Sequence, residues 1–349
     1  MSTVREAIDA DRPAWDAFVA ARAEADPLQS WAWGEANAVA REFPVRLIAT
    51  DGETVRGAAQ LLVRAAGFGR TVAYVPHGPL WDREAPDAGA VVASLVEGMR
   101  VEAARRRVII LKVDPRTGVG ATPDDVRQAL LGAGLRAARH DLQARSTRIV
   151  DLLDGADELL QTWDKDARNL VRRAGKEGVE TSVDRTGDAG EIDAFHQLLE
   201  ATSERAGFRT RSAAFLGTLA AGLAPSGGWF LTIARLKDRP IAGAVALRVG
   251  DRAIYAYGAS LREPELKHAN GAYAALAATM RALADDGVRT LDLWGVVEPG
   301  DDEADQSWAG FSAFKRQFGG TPLRHAGTYD LVISPLWNTI RTLRERIRG

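Results

Sequence analysis

The sequence predicts an α/β (α+β) fold: two tandem copies of one domain, each a mixed sheet with flanking helices. Three observations carry this. Short β-rich runs come in meanders of three. Each meander leads into a helix and then into one more apolar strand. The whole order occurs twice in the chain.

The second copy is the clearer. Trp229–Arg235, Pro240–Val249 and Ala253–Tyr257 read as strands, because each is β-rich and bounded by a Lys-Asp-Arg-Pro or Gly-Asp turn. A helix follows over Ala269–Asp285, rich in alanine and leucine, with Gly287 placed to end it. Arg289–Trp294 is then a buried strand. The first copy repeats this as Val45–Thr50, Val55–Val63 and Thr71–Val75, a helix over about Ala88–Arg105, and a strand at Arg107–Val113. Arg56-Gly-Ala-Ala-Gln-Leu-Leu-Val63 aligns with Ala242-Gly-Ala-Val-Ala-Leu-Arg-Val249 at an offset of 186 residues, and the last strands align at 182. A repeat of this length is a duplicated domain, and helices, a three-strand meander, a helix and a further strand describe a GNAT-like acyltransferase. The expected boundaries are 1–146 with 325–349 for the first, acceptor-side domain and 147–324 for the second, donor and catalytic domain.

Between the copies, Asp157–Lys176 reads as one long helix. Its apolar residues recur at helical spacing, while Lys165, Arg168, Arg172 and Lys176 fall three and four apart on another face. Such a stripe is either a solvated surface or a contact for phosphates. Ser334–Arg348 reads as a basic amphipathic helix that docks on the first domain, with attachment to anionic lipid as a secondary role.

Bulk properties narrow the chemistry. A chain of 349 residues with net charge −2 offers no global field for nucleic acid, so any tRNA contact must be local and salt-sensitive. The absence of cysteine removes disulfides, thiol nucleophiles and Cys-ligated zinc. The five histidines show no His-x-x-x-His spacing, so no metal is expected. No apolar run approaches the ~20 residues of a membrane span, which makes a cytoplasmic protein the default.

Five motifs stand in order on this frame. They are Gln29-Ser30-Trp31-Ala32-Trp33; Tyr74-Val75-Pro76-His77-Gly78-Pro79-Leu80-Trp81-Asp82; the Arg/Lys-rich stretch Arg168–Val179; Glu204–Phe215; and Phe314-Lys315-Arg316-Gln317-Phe318-Gly319-Gly320. Together they resemble the Fem (FemABX) family of peptidoglycan-bridge aminoacyltransferases, in the short form without a helical arm. The resemblance runs from about residue 28 to the end. It implies an aminoacyl-tRNA donor, an acceptor amine on the stem peptide of lipid II or its UDP-linked precursor, peripheral contact with the membrane through lipid II, and no cofactor. The sequence departs from the family pattern at about Asn37, where a phosphate-holding lysine is frequent, at His77 for an arginine, and at Phe215 for a tyrosine.

Amide formation from an ester needs a free amine, placement, and stabilisation of the tetrahedral oxyanion, but no enzyme nucleophile. Lys315 is the candidate for the oxyanion or the 3′-terminal phosphate region, with Phe314 and Phe318 as apolar walls. A surface lysine between phenylalanines on a strand is the competing account of the same pattern. Arg211 suits the acceptor's phosphates. Tyr255 and Tyr257, two apart on a strand, should share a face and line the acceptor groove. Tyr74, Trp33, Asn37 and Phe215 complete the expected substrate contacts. Asp82 is placed to take the amine's proton or to orient the substrate. Asp292 stands out as a carboxylate in an apolar strand. Lys165, Arg168, Arg172 and Lys176 are the expected tRNA contacts. Two other readings compete. One is an acetyl-CoA-dependent N-acyltransferase, weakened because Leu266–Ala272 lacks the paired glycine spacing of a pyrophosphate loop. The other is a non-catalytic cell-wall precursor binder.

Overall fold

The computed structural model describes residues 2–118, 122–152, 156–207, 209–299 and 309–348. The chain divides into two units, Met1–Arg145 with Arg324–Gly349, and Ser146–Leu323. The first contains β1 (Thr3–Glu6), α1 (Arg12–Ala21), α2 (Trp31–Val39), β2 (Phe43–Asp51), β3 (Thr54–Gly67), β4 (Arg70–Val75), β5 (Leu80–Trp81), α3 (Ala88–Arg105), β6 (Val108–Val113), α4 (Pro123–Gly132) and β7 (Arg136–Ala137). The second contains β8 (Ser146–Asp151), α5 (Ala156–Thr162), α6 (Lys165–Lys176), β9 (Val179–Asp184), α7 (Ala189–Ala206), α8 (Ala213–Leu223), β10 (Trp229–Leu236), β11 (Arg239–Val249), β12 (Arg252–Ser260), α9 (Gly271–Asp285), β13 (Thr290–Asp292), α10 (Ala309–Arg316) and β14 (Thr321–Arg324). The chain then rejoins the first unit as β15 (Tyr329–Val332) and α11 (Pro335–Arg348).

The two sheets run β1-β2-β3-β4-β6-β15-β7, with β5 on β3, and β14-β8-β13-β12-β11-β10-β9. β2-β3-β4-β6 and β10-β11-β12-β13 repeat one order, and in each the last pair is parallel. A parallel pair requires a crossover, which α3 supplies in one copy and α9 in the other. The expected duplicated fold is therefore present in both sheet order and strand direction. Seven of the described strands (β1, β5, β7, β8, β9, β14 and β15) went unread in the sequence, three of them for clear reasons. β1 is short and charged, β7 has two residues, and β15 pairs with β6, far away in sequence.

In the second unit β11 is buried on both faces from Ile241 to Leu247. Ala242 and Ala244 pack with Ala274 and Ala275 of α9. Gly243, between them, faces the other way, and a Cβ there would lie 2.7 Å from the Phe195 ring of α7. Small residues thus let a helix close on each face of the strand.

The expected continuous helix Asp157–Lys176 is two helices. The Asp164 N–H donates to the Gln317 carbonyl (2.8 Å), outside the helix, and Asp164 stands at the residue before α6. Trp163 turns inward at the break and meets Phe318 edge-on at 4.9 Å. Among the described residues, no helix is long and apolar enough to cross a membrane.

In the first unit the Gln29-Ser30-Trp31 segment is stitched into the sheet. Gln29 Nε2 donates to the Pro76 carbonyl (2.5 Å), and its Oε1 accepts from the Gln60 N–H (3.0 Å). Gln60 Nε2 reaches the Ser30 carbonyl (3.0 Å), and Arg46 donates to both Gln60 Oε1 (2.8 Å) and the Trp31 carbonyl (2.9 Å). Ser30 caps α2 by accepting from the Trp33 N–H. Gln29 and Gln60 are fully buried, so a lost partner has no water to replace it. Gln29→Leu should therefore lower unfolding stability by roughly 2–4 kcal/mol, read as a fall in the denaturant midpoint at unchanged slope. An unchanged midpoint would show that the glutamine bridge does not hold this segment.

Candidate active site

The second unit holds a cavity of about 900 Å³. It opens where β12 loses its parallel neighbour. β13 pairs with β12 only at Arg252–Ile254, and the cavity is lined from Tyr255 to Pro264, by the start of α9, and by Phe311, Phe314 and Lys315 of α10. The start of α7's last turn contributes Thr202 and Arg205.

Lys315 lies on a helix rather than on the strand that alternation suggested. α10 is tied to the segment after β13 by several bonds. Lys315 Nζ donates to the carbonyls of Trp294 and Gly295, the latter at 3.3 Å. Arg316 donates to the Val297 carbonyl (2.6 Å), and the Val297 N–H to Ser312 Oγ (2.8 Å). Trp294 and Gly295 both take left-handed backbone conformations, φ 44° and 57°. Asp292 fixes the first of them. Its carboxylate is buried, and it accepts from the Trp294 N–H (2.6 Å) and from the Thr147 hydroxyl. The carboxylate noted in the sequence thus positions the carbonyl on which the lysine rests.

No carboxylate among the described residues forms an ion pair with Lys315. Its ammonium lies 5.7 Å from the Tyr255 ring centre. Burial lowers its pKa from the ordinary lysine range to about 7. Phe314 sits within an aromatic cluster with Tyr273 (5.0 Å) and Phe318 (5.3 Å). Phe318 is fully buried and backs the wall rather than facing the cavity.

Tyr255 and Tyr257 do not share a face, contrary to expectation. β12 carries a bulge: Tyr255 pairs with Ala246 and Tyr257 with Val245, leaving Ala256 extra. Ala246 and Val245 are sequence neighbours and point to opposite faces, so the two tyrosines do as well. Both still border the cavity at the strand's open edge. The Tyr255 hydroxyl fills the space beside Gly258, where a Cβ would lie 1.9 Å away. Burial raises both phenols above their ordinary range. For Tyr257 a hydrogen-bonded Arg211 opposes that rise. Arg211 also lies 4.6 Å from the Phe215 ring centre. Phe215 itself is buried at the start of α8 and serves as core, not as a substrate contact.

The expected contacts of the first unit have other surroundings. Asn37 is fully buried and donates to the Trp33 carbonyl one turn earlier (2.8 Å). Trp33 is buried beside it. In this structure both are interior groups of α2, a correction to their reading as substrate contacts. The Tyr74 hydroxyl donates to Asp114 (2.5 Å) and accepts from Gln143 (3.1 Å). Asp82 pairs with Arg22 at 3.0 Å and is about a third exposed. Lys165, Arg172 and Lys176 are exposed and Arg168 partly so, and none of the four joins an ion pair among the described residues.

Sequence reading missed Arg205, Arg262, Lys267, Asn270, Tyr273 and Phe311, all on the cavity. Burial lowers the Arg205 pKa, as does the neighbouring Arg262 cation. Asn270 is left-handed at φ 53° and α9 starts at Gly271, so the positive end of the helix dipole meets the cavity. Asn270-Gly271-Ala272 was the one pointer available in the sequence.

Comparison with known proteins agrees with this architecture. A sequence family described as Acetyltransferase (GNAT) domain matches residues 161–316. The lipid II:glycine glycyltransferase of Staphylococcus saprophyticus subsp. saprophyticus is 27% identical over 236 residues, 65% of this chain and 55% of the relative. The chain spans about half the length of the curated relatives it matches. The crystal structure of FemX superposes with a TM-score of 0.81 at 20% identity, covering 97% of this chain and 99% of that one. A tandem GNAT protein from the clavulanic acid biosynthesis pathway gives 0.58 at 14% identity, covering 96% and 99%. The chain is thus similar in sequence to lipid II:glycine glycyltransferases and similar in fold to FemX, with five motifs in order on a duplicated GNAT-like frame.

Proposed function

We propose that the protein forms a peptide bond without a ribosome, moving an amino acid from aminoacyl-tRNA onto an amine of a peptidoglycan precursor, either lipid II or its UDP-linked form. The observation that carries this reading is Lys315. It is a half-buried cation at a cavity of about 900 Å³, held by two carbonyls and by no carboxylate among the described residues.

In the proposed reaction the acceptor amine attacks the ester carbonyl of the charged tRNA. A C–N bond forms, negative charge collects on the carbonyl oxygen, and the C–O bond to the terminal ribose then breaks. The Lys315 ammonium faces the developing oxyanion, whose charge strengthens the interaction in the transition state. The released ribose oxygen takes up the proton that the amine loses. Arg205, Arg262 and Lys267, with the start of α9, offer positive potential for the donor's terminal phosphates. The stripe Lys165, Arg168, Arg172 and Lys176 offers the same for its acceptor stem.

A coenzyme A thioester donor is the second reading, favoured by the GNAT family match and by the helix N-terminus on the cavity. Purified protein given labelled aminoacyl-tRNA and either precursor should yield labelled muropeptide. Turnover of acetyl-CoA with no transfer from tRNA to any acceptor would overturn the first reading in favour of the second.

Lys315→Met should reduce turnover at least about tenfold, the scale of one lost electrostatic contact. Because the ammonium is the active form, kcat/KM should decline as pH rises through about 7, and Lys315→Arg should remove that limb. A rate that climbs steadily through this range would exclude the ammonium's role. The same methionine variant tests folding. A lysine whose folded pKa is lowered to about 7 binds fewer protons folded than unfolded from there up to the ordinary lysine range, so wild-type stability rises with pH across that interval. The stability advantage of Lys315→Met should thus be largest near about pH 6 and narrow toward about pH 9, on either side of the folded-state pKa of about 7. A constant difference would contradict the depressed pKa.

Arg172→Glu with Lys176→Glu should raise KM for charged tRNA and leave KM for the muropeptide acceptor unchanged, with a shallower salt dependence. Equal effects on both substrates would remove the α6 stripe from tRNA binding.

A further inference from the structure

One surface of the first unit is unlike the rest. Phe68 stands at the tip of the β3–β4 hairpin between Gly67 and Gly69, 72% exposed and in the left-handed region at φ 54°. Its ring lies 6.5 Å from that of Trp337 on α11. Next along α11 come Leu336, 70% exposed, and, on the same face, Leu343, 52% exposed. The face continues through Ile340, since positions 336, 340 and 343 recur at helical spacing. An aromatic at a hairpin tip joined to an exposed apolar helix stripe is more than scattered surface hydrophobicity.

The charge around this patch is predominantly positive. Arg64 and Arg70 bracket the hairpin tip, and the Arg70 guanidinium lies 4.8 Å from the Trp337 ring centre. Arg107 approaches the same tip, 3.8 Å from where a Gly69 Cβ would be. The α11 segment itself carries Arg341, Arg344, Arg346 and Arg348 against the single acid Glu345. The whole chain has net charge −2, so this concentration of arginine is local.

We propose that the Phe68 hairpin tip and α11 form a docking surface for an anionic phospholipid bilayer. Apolar and aromatic side chains enter the headgroup boundary while the arginines meet lipid phosphates. A projecting hairpin tip suits penetration of a soft interface. Tryptophan and arginine together are the side chains that such an interface favours. Docking would bring the enzyme to the plane where a lipid-carried substrate resides, but the inference rests on this patch alone and holds for either donor reading.

The test is co-sedimentation of the full chain with vesicles of phosphatidylglycerol mixed with phosphatidylcholine, against phosphatidylcholine alone. Binding should require the anionic lipid and weaken sharply at about 0.5 M salt, where screening is short-ranged. Phe68→Asn with Leu336→Ser should lower the bound fraction at least about fivefold, and Arg341→Glu with Arg344→Glu should do so as well. Asparagine tolerates the left-handed backbone at this position, and thermal melts of both variants should match wild type. Three results would overturn the proposal: no binding to either vesicle, equal binding by the variants, or self-association in sedimentation velocity that the same substitutions abolish, which would assign the face to a second copy.

Discussion

Strand β12 is paired on both sides only over Arg252–Ile254, and the rest of the second unit's chemistry depends on that short partnership. Backbone N–H and C=O groups in a protein interior need partners. On the β11 side they have them as far as Ser260. At the far end of β12, α7 reaches across: the Thr202 hydroxyl accepts from the Ser260 N–H (3.0 Å), and Arg205 donates to the Ser260 carbonyl (3.0 Å). The edge between is where the cavity lies. An amide-bearing substrate laid along that edge would meet strand-like donors and acceptors, the mode by which extended ligands join a sheet.

The bulge at Ala256 and the left-handed turn at Trp294-Gly295 make this opening chemically asymmetric. The bulge sends one tyrosine to each face of β12. Tyr255 thereby joins the face carrying the aromatic cluster and Lys315, while Tyr257 goes to the face carrying Arg211. The turn presents carbonyl oxygens to the Lys315 ammonium. Carbonyls hold a cation in place without neutralising it, whereas a carboxylate would hold its charge and raise its pKa. Asp292 therefore acts at one remove, orienting Trp294 rather than pairing with the lysine.

Most of the fold was legible because it rests on local pattern. The meander Trp229–Ser260, the helix ending at Gly287 and the repeat of both in the first half follow from period-two strands and turn residues. The site was legible only in part. Lys315 was singled out through its motif, but its helical setting was not, since Phe-Lys-Arg-Gln-Phe fits either period. Tyr255 and Tyr257 were misassigned because a bulge leaves no mark in composition. Trp33 and Phe215 sit in motifs, yet the structure gives them core positions, which shows that a motif residue can serve by holding the frame. Arg205 and Arg262 are ordinary surface arginines by sequence. They come together only because α7 packs beside the end of β12, a long-range contact that no local pattern encodes.

The two copies build different surroundings at the same strand junction. In the first unit the parallel pair β4–β6 continues to Val75 and Val113, and the residues immediately beyond lock together. The His77 N–H donates to Asp114 (2.8 Å), Tyr74 donates to the same carboxylate, and the His77 ring meets Asp26, which also accepts from Arg116 (2.8 Å). Burial pushes the Asp114 carboxyl up to about 6. Burial alone would raise Asp26 too, but His77 and Arg116 outweigh it and hold that carboxyl below the ordinary range. A buried network like this stays folded only while its members remain satisfied. It lies just beyond the β4–β6 pair, as the second unit's cavity lies just beyond the β12–β13 pair. Duplication thus yields one copy with a network of paired charges at its junction and another with a cavity there, with a lysine held by carbonyls at its rim.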